Sequence, residues 1–338
     1  MMVRPLRLVI DGYGKFVGKR DNQIVIKENG HEIDYFLAKK VSQIIITGKG
    51  SVSFDALKLM ALSNVDVVIL NWTGDIIYRI SPPELKNSRV RREQYKAYDD
   101  ERSSILCKEI IKSKMENQKA LLGFLAKSRE EDALKIRGYR DKISEFSILL
   151  SNLENTNIDN VRGKIFGLEG MASTEYWKGI GLVVGEGWNF KGRSGRGAKD
   201  GFNALLNYGY GVLKGEVWRA IHLASMDPYA GFLHADRWGR PSLVFDLMEE
   251  FRQQIVDRSI LKLIIRKQIK IADFTFEEGR CRISDKARKK LIAQILKRLD
   301  SYVNGRNISF SDVIVFQARL MTKFLVGEVE YKGFYLRW

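Results

Sequence analysis

The sequence predicts an α+β protein, with a small N-terminal β domain followed by a larger all-α domain. Three observations predict it. The first 80 residues are short apolar or alternating runs broken by Asp-Gly, Asp-Asn and Asn-Gly turns. Ser81-Pro82-Pro83 then interrupts the chain, and a double proline continues neither a ladder nor a helix. From Ser88 onward, apolar residues recur at three- and four-residue spacing among many Lys, Arg and Glu, which is the helical period. The expected bounds are 1–81 for the β domain, 82–87 for the linker and 88–338 for the α-helical domain.

Each element has its own signal. Leu6 to Ile10 is an apolar run stopped by Asp11-Gly12. Lys15 to Lys19 and Gln23 to Lys27 alternate around Asp21-Asn22, and Asn29-Gly30 is a hairpin turn leading into His31 to Phe36. Val41 to Thr47 is β-branched and reads as a buried strand. Phe54 to Ser63 has a helical period, and Asp66 to Leu70 and Asp75 to Ile80 are further strands. Beyond the prolines, helices are expected over Ser88 to Lys127, Asp132 to Leu153, Asn160 to Val184 and Lys199 to Ser225. More follow over Ser242 to Ile265, Ser284 to Val303 and Ser309 to Val326, with a hairpin at Phe274 to Ile283.

Composition narrows the function. Hydrophobic residues make up 45% and aromatic residues 11% of the 338, which excludes a mostly disordered chain. No apolar run approaches the ~20 residues that span a bilayer, and the opening Met-Met-Val-Arg-Pro has no apolar signal core. Two cysteines, Cys107 and Cys281, supply neither a disulfide framework nor a cysteine zinc site. The expectation is a soluble, cytoplasmic protein. Its net charge is +16, and residues 1–85 carry 11 basic against 9 acidic residues, so nearly all the excess lies in the second domain. That asymmetry points to a polyanionic partner, with nucleic acid foremost.

Candidate chemistry sits in that basic domain. Of the three histidines, His31 reads as a turn residue and His222 as a capping or core residue. His234 lies in a loop bracketed by Pro228 and Pro241, where a rigid scaffold presents site residues. The following helix carries Asp246, Glu249 and Glu250 on one face at i, i+3 and i+4, and such like charges call for a cation. Arg252 is one candidate, and a divalent metal such as Mg²⁺ or Mn²⁺ is another. Glu169 stands among small and apolar residues in a helix that reads as buried, where a carboxylate needs a salt bridge or a metal. Asn189 to Lys199 reads as a mobile cationic loop, whose Lys191, Arg193, Arg196 and Lys199 are suited to a phosphate backbone, as is Arg237. Asn203 and Asn207 read as interhelical hydrogen-bonding residues. No Gly-Lys-Ser/Thr opens a helix, so no phosphate-binding loop of the nucleotide-hydrolase type is expected. His234-Ala-Asp-Arg237 matches the His-x-x-Arg of tyrosine recombinases, but the next tyrosine, Tyr302, is 65 residues past Arg237, too far to support that reading.

Taken together, Glu169-Gly170, Asn203 to Tyr210, Met226 to His234 and Ser242 to Arg252 resemble the CRISPR-associated integrase and endonuclease family. Lys114-x-x-Asn117-Gln118, Gln317-Ala-Arg319 and Phe324 to Glu328 are similar to that family as well, and the likeness runs in order along the whole chain. The resemblance implies a catalytic C-terminal domain and a metal-dependent DNA endonuclease that inserts spacers into a CRISPR array by 3′-hydroxyl transesterification. It implies a homodimer, two of which flank a dimer of the small companion protein Cas two in a heterohexamer. The family's metal ligands fall on Glu169, His234 and Glu249, with Asp246 three residues before the last ligand. Glu250 is an alternative third ligand, although the spacing from Asp246 favours Glu249. A structure-specific nuclease for branched DNA and a non-catalytic DNA-binding protein are the competing readings. The weakly charged β domain is the expected dimer interface.

Overall fold

The strands expected in the first 80 residues form two sheets that share one core. The structure is a computed structural model that describes residues 6–80, 87–127, 130–195, 197–277, 279–303 and 307–336. It divides into Met1–Glu84 and Leu85–Trp338. That division falls within the expected linker 82–87, of which residues 82–86 lie outside the described residues.

The first unit runs β1 (Leu6–Ile10), β2 (Lys15–Arg20), β3 (Gln23–Glu28), β4 (His31–Leu37), β5 (Val41–Ile46), β6 (Gly50–Val52), α1 (Phe54–Leu62), β7 (Asp66–Leu70) and β8 (Ile76–Ile80). One sheet has the order β1-β5-β7-β8, with β5 parallel to both neighbours and β8 antiparallel to β7. Strand β5, with Val41 and Ile44 to Ile46 around the buried Ser42 and Gln43, is central and buried, as a strand in the middle of a parallel sheet must be. The other sheet has the order β4-β3-β2-β6. Its β3–β4 turn uses Asn29 and Gly30 at φ 52° and 83°, the left-handed pair that a tight hairpin requires. Sequence reading missed β6. Three exposed residues carry no period, and pairing with β2 alone makes them a strand. Ile10, Val17, Ile24, Ile44, Ala56 and Val67 from both sheets and α1 pack into one core. The edge strand β4 leaves Ile33, Tyr35 and Leu37 exposed.

The second unit contains α2 (Ser88–Ala97), α3 (Glu101–Ala126), α4 (Ala133–Ser151), α5 (Ile158–Val184), α6 (Gly201–Leu223), α7 (Ser242–Met248), α8 (Arg258–Ile265), the hairpin β9 (Phe274–Glu277) and β10 (Arg280–Ile283), α9 (Asp285–Asp300) and α10 (Phe310–Leu325). The helix expected over Ser88 to Lys127 is two helices. Asp100 takes an extended conformation and accepts the Arg102 N–H at 2.9 Å, which caps a new helix. The helix expected over Ser242 to Ile265 is also interrupted, by a π-helical turn over Arg252–Asp257 that joins α7 to α8. Helices α3, α4 and α5 pack on one another, and α6 packs on α7 and α10. No helix among the described residues is long and apolar enough to cross a membrane.

Candidate active site

Lys114 of α3, Glu169 of α5 and Glu249, just past α7, meet at one point. The Lys114 ammonium Nζ lies 2.6 Å from Glu169 Oε1 and 2.6 Å from Glu249 Oε2. Arg252, on the first residue of the π turn, places Nε 3.0 Å from Glu249 Oε1. Ser173, one turn after Glu169, donates to its Oε1 at 2.7 Å, and Gln118 donates to Ser173 at 3.1 Å. Burial would raise the Glu249 carboxyl, but Arg252, Lys114 and His234 outweigh it and hold its pKa near 2. Burial likewise works against the charge on Lys114, and Glu249 with Glu169 more than offset it. Glu249 therefore stays ionised beside a cation that it shares with Glu169.

His234 is fixed by a buried carboxylate. Asp246 Oδ1 lies 2.6 Å from His234 Nδ1 and accepts the His234 backbone N–H at 2.9 Å. Its Oδ2 accepts the backbone N–H groups of Phe232 and Leu233 at 2.7 and 3.1 Å. Asp246 thus ties the loop end to α7 and leaves the ring's Nε2 as the free nitrogen. The rings of Phe166 and Phe245 flank the imidazole, with centroids 5.9 and 5.8 Å away. Sequence reading placed Asp246 on a common face with Glu249. In the structure Asp246 is saturated by donors of its own loop.

Glu250 points elsewhere. It accepts the Phe334 N–H at 2.8 Å and the Gln317 amide at 2.9 Å, and it bonds the Tyr331 hydroxyl, so it anchors the C-terminal segment. Burial raises its pKa to about 7, against the lowering effect of those hydrogen bonds. Asn117, one α3 turn after Lys114, bonds Phe334 O at 2.9 Å and the Leu336 N–H at 3.1 Å in the same segment. Below the site, Asp257 accepts the hydroxyls of Tyr176 and Tyr210, each at 2.7 Å. The guanidinium of Arg252 stacks 4.5 Å above the Tyr210 ring.

A cleft of about 820 Å³ opens beside the two carboxylates. Its walls include Glu169, Glu249, Arg252, Trp177, Phe190 and Arg193. Among the described residues, His234 is not part of that lining. Lys191 is exposed at the cleft wall, whereas Lys199 is exposed but outside it. Arg193 folds inward over Tyr210 at 5.3 Å and bonds Asn203 Oδ1 at 3.1 Å. Arg237 is exposed beyond His234, and Arg196 lies outside the described residues. Asn203 and Asn207 do not bridge helices. They accept from Ser194 N–H and donate to Gly192 O and Gly195 O, restraining the glycine-rich loop that sequence reading took as mobile.

The family model described as CRISPR associated protein Cas1 matches residues 8–297. The chain belongs to this family. It is 44% identical to the CRISPR-associated endonuclease Cas1 1 of Archaeoglobus fulgidus, over 98% of this chain and 100% of that one. It is similar to a casposase bound to an integration product, with a TM-score of 0.81 and 25% identity, covering 97% of this chain and 92% of that one. A Cas6-RT-Cas1–Cas2 complex shares the fold, with a TM-score of 0.82 and 19% identity over 100% of this chain and 37% of that one.

The donor chemistry of this Cas1-family site suits a divalent ion. Two carboxylates already converge on a single cation, and Asp246 holds the imidazole of His234 by its Nδ1. Among the described residues, no three acid, histidine or cysteine side chains gather closely enough to hold a metal. Lys114 occupies the convergence point instead. Sequence reading noted Lys114 within a motif but assigned it no role, and Ser173 was missed. The available signal was a lysine followed by Asn117 and Gln118 on a helix whose other buried residues are apolar or serine.

Proposed function

We propose that this Cas1-family chain is a metal-dependent DNA endonuclease and integrase that inserts new spacers into a CRISPR array. The observation that carries this reading is the convergence of Glu169 and Glu249 on one cation at the wall of a basic, aromatic cleft. The likeness to a casposase bound to its integration product supports joining over cutting alone.

Glu169, His234 and Glu249 would hold Mn²⁺ or Mg²⁺, which when bound acidifies an attacking hydroxyl and stabilises charge on phosphoryl oxygens. The remaining work falls to the chain. Asp246 holds the His234 ring by Nδ1, and Arg252 keeps Glu249 ionised and fixed in place. Lys191 and Arg193 at the cleft present positive charge to a phosphate backbone, contacts that position DNA without reading its sequence. A DNA 3′ hydroxyl then displaces a strand at a phosphodiester. One P–O bond forms as another breaks and a new 3′ hydroxyl departs, so the step needs no nucleoside triphosphate. Water in place of the 3′ hydroxyl gives nicking. The working assembly in this proposal is a homodimer through the β domain, joined by Cas2 in a heterohexamer.

The test incubates the protein with a short duplex bearing free 3′ ends and a labelled target, with Mn²⁺, Mg²⁺ or chelator. Branched products that require the metal and vanish in Glu169→Ala and His234→Ala are expected, with DNA binding retained. Cut products without joined ones would replace the integrase by a branched-DNA nuclease, and chelator-resistant activity would remove the metal from the reading.

A further inference from the structure

Trp238 stands in water beside the candidate active site. Its relative exposure is 103%, the highest of any large hydrophobic side chain among the described residues. Tryptophan offers more area to bury than other side chains, so one held fully in solvent is unsatisfied by its own fold. Looseness does not explain the exposure. The Arg240 N–H donates to Arg237 O at 2.9 Å, closing a turn with Trp238 and Gly239 at its centre. Gly239 has φ +70°, the conformation that glycine supplies at the second central position of such a turn. The turn is tied down by Ser242 Oγ to Ala235 O at 3.3 Å and by the Leu243 N–H to Pro228 O at 3.1 Å. The loop thus holds the indole out at its tip.

The flanking residues say what it meets. Arg237 and Arg240 bracket the turn, and burial first and the Arg237 charge second weaken the hold of Arg240 on its proton. Arg240 stacks 5.3 Å over the Phe245 ring, which in turn abuts His234. A flat apolar ring on a turn flanked by two arginines matches a polymer of flat bases on an anionic backbone. An apolar protein groove would have to desolvate both guanidinium groups to reach the indole.

We propose that Trp238 is a stacking platform for a nucleobase of the bound DNA, a positioning residue that sets the strand against His234. This rests on the DNA-joining function proposed above. Trp238 follows His234 by four positions, at most about 14 Å of chain. At about 3.4 Å per nucleotide, the stacked base lies within about four nucleotides of the phosphate at His234.

The experiment uses full-length wild type, Trp238→Ala and Trp238→Phe with branched DNA carrying 2-aminopurine at each of the four positions on either side of the junction. Because Trp238 contributes no packing, the variants retain the fold, which circular dichroism checks. In wild type, 2-aminopurine at one position is expected to show quenching that Trp238→Phe keeps in part and Trp238→Ala abolishes. Affinity falls about 5- to 150-fold in Trp238→Ala, with an unchanged salt slope because no charge is removed. Wild-type affinity and unchanged fluorescence in Trp238→Ala overturn the platform while leaving DNA binding intact, as does a change confined to oligomer size. Failure of wild type itself to bind any DNA overturns the functional reading and the platform with it.

Discussion

Lys114 sits 2.6 Å from an oxygen of Glu169 and 2.6 Å from an oxygen of Glu249, so two carboxylates from distant parts of the chain share one ammonium. Removing one partner of a buried charge pair leaves uncompensated charge and costs about 3–5 kcal/mol. Lys114→Met is therefore expected to lower thermal stability in chelator. Mn²⁺ should restore it, and should raise the melting temperature of the variant more than that of wild type, because the ion then has no ammonium to displace. Melting curves with and without Mn²⁺ check this, and a variant indifferent to the ion would show that the carboxylate pair is not a metal site.

Asp246 acts through His234. Asp246→Asn puts an amide donor where the carboxylate now accepts backbone N–H groups and the ring nitrogen. Branched-product formation is expected to fall about 10- to 100-fold, the usual cost of losing the partner that orients a ligating histidine. Fluorescence anisotropy should find DNA affinity unchanged, and an equal loss in both assays would make the role structural.

Asn203 holds the glycine-rich loop by Gly192 O and the Ser194 N–H. Asn203→Ala is expected to release residues 190–195, costing about 1–3 kcal/mol for the unpaired groups. Limited proteolysis should then cut within the loop at concentrations that spare wild type, and DNA affinity should weaken as Arg193 loses its anchor.

Asp257 supplies a pH signature. Burial raises its pKa from 3.8 to about 6, only partly opposed by the hydroxyls of Tyr210 and Tyr176. The folded state therefore binds the proton more tightly than the unfolded chain. Its stabilising share is full below pH 3.8 and is lost as pH rises through about 6. Asp257→Asn has no such proton to lose. Its stability relative to wild type should grow by about 3 kcal/mol between pH 3.5 and 7, measured by urea unfolding at each pH. A flat difference would show that the carboxyl is ionised throughout.

Local chemistry in the sequence determined the elements and the candidates. Asn29-Gly30 dictates a hairpin because glycine and asparagine tolerate left-handed backbone, and the β-branched run of β5 can be satisfied only inside a sheet. Glu169, His234 and the acids after Pro241 were legible as chemistry because a carboxylate among apolar neighbours and a histidine in a braced loop are costly unless used. Tertiary structure alone decided how the acids divide. Glu249 and Glu250 are adjacent, and the helical period ranks them without separating them. Packing against α3 and the C-terminal segment sends one to Lys114 and the other to Tyr331 and Phe334. The role of Lys114 was equally hidden, because its partner Glu169 lies 55 residues away. The exposure of Trp238 was hidden as well, since a tryptophan's burial depends on what the rest of the chain brings to it. Backbone preference is written residue by residue, whereas the position of a charge or a ring in space is set by the packing of segments that no local pattern links.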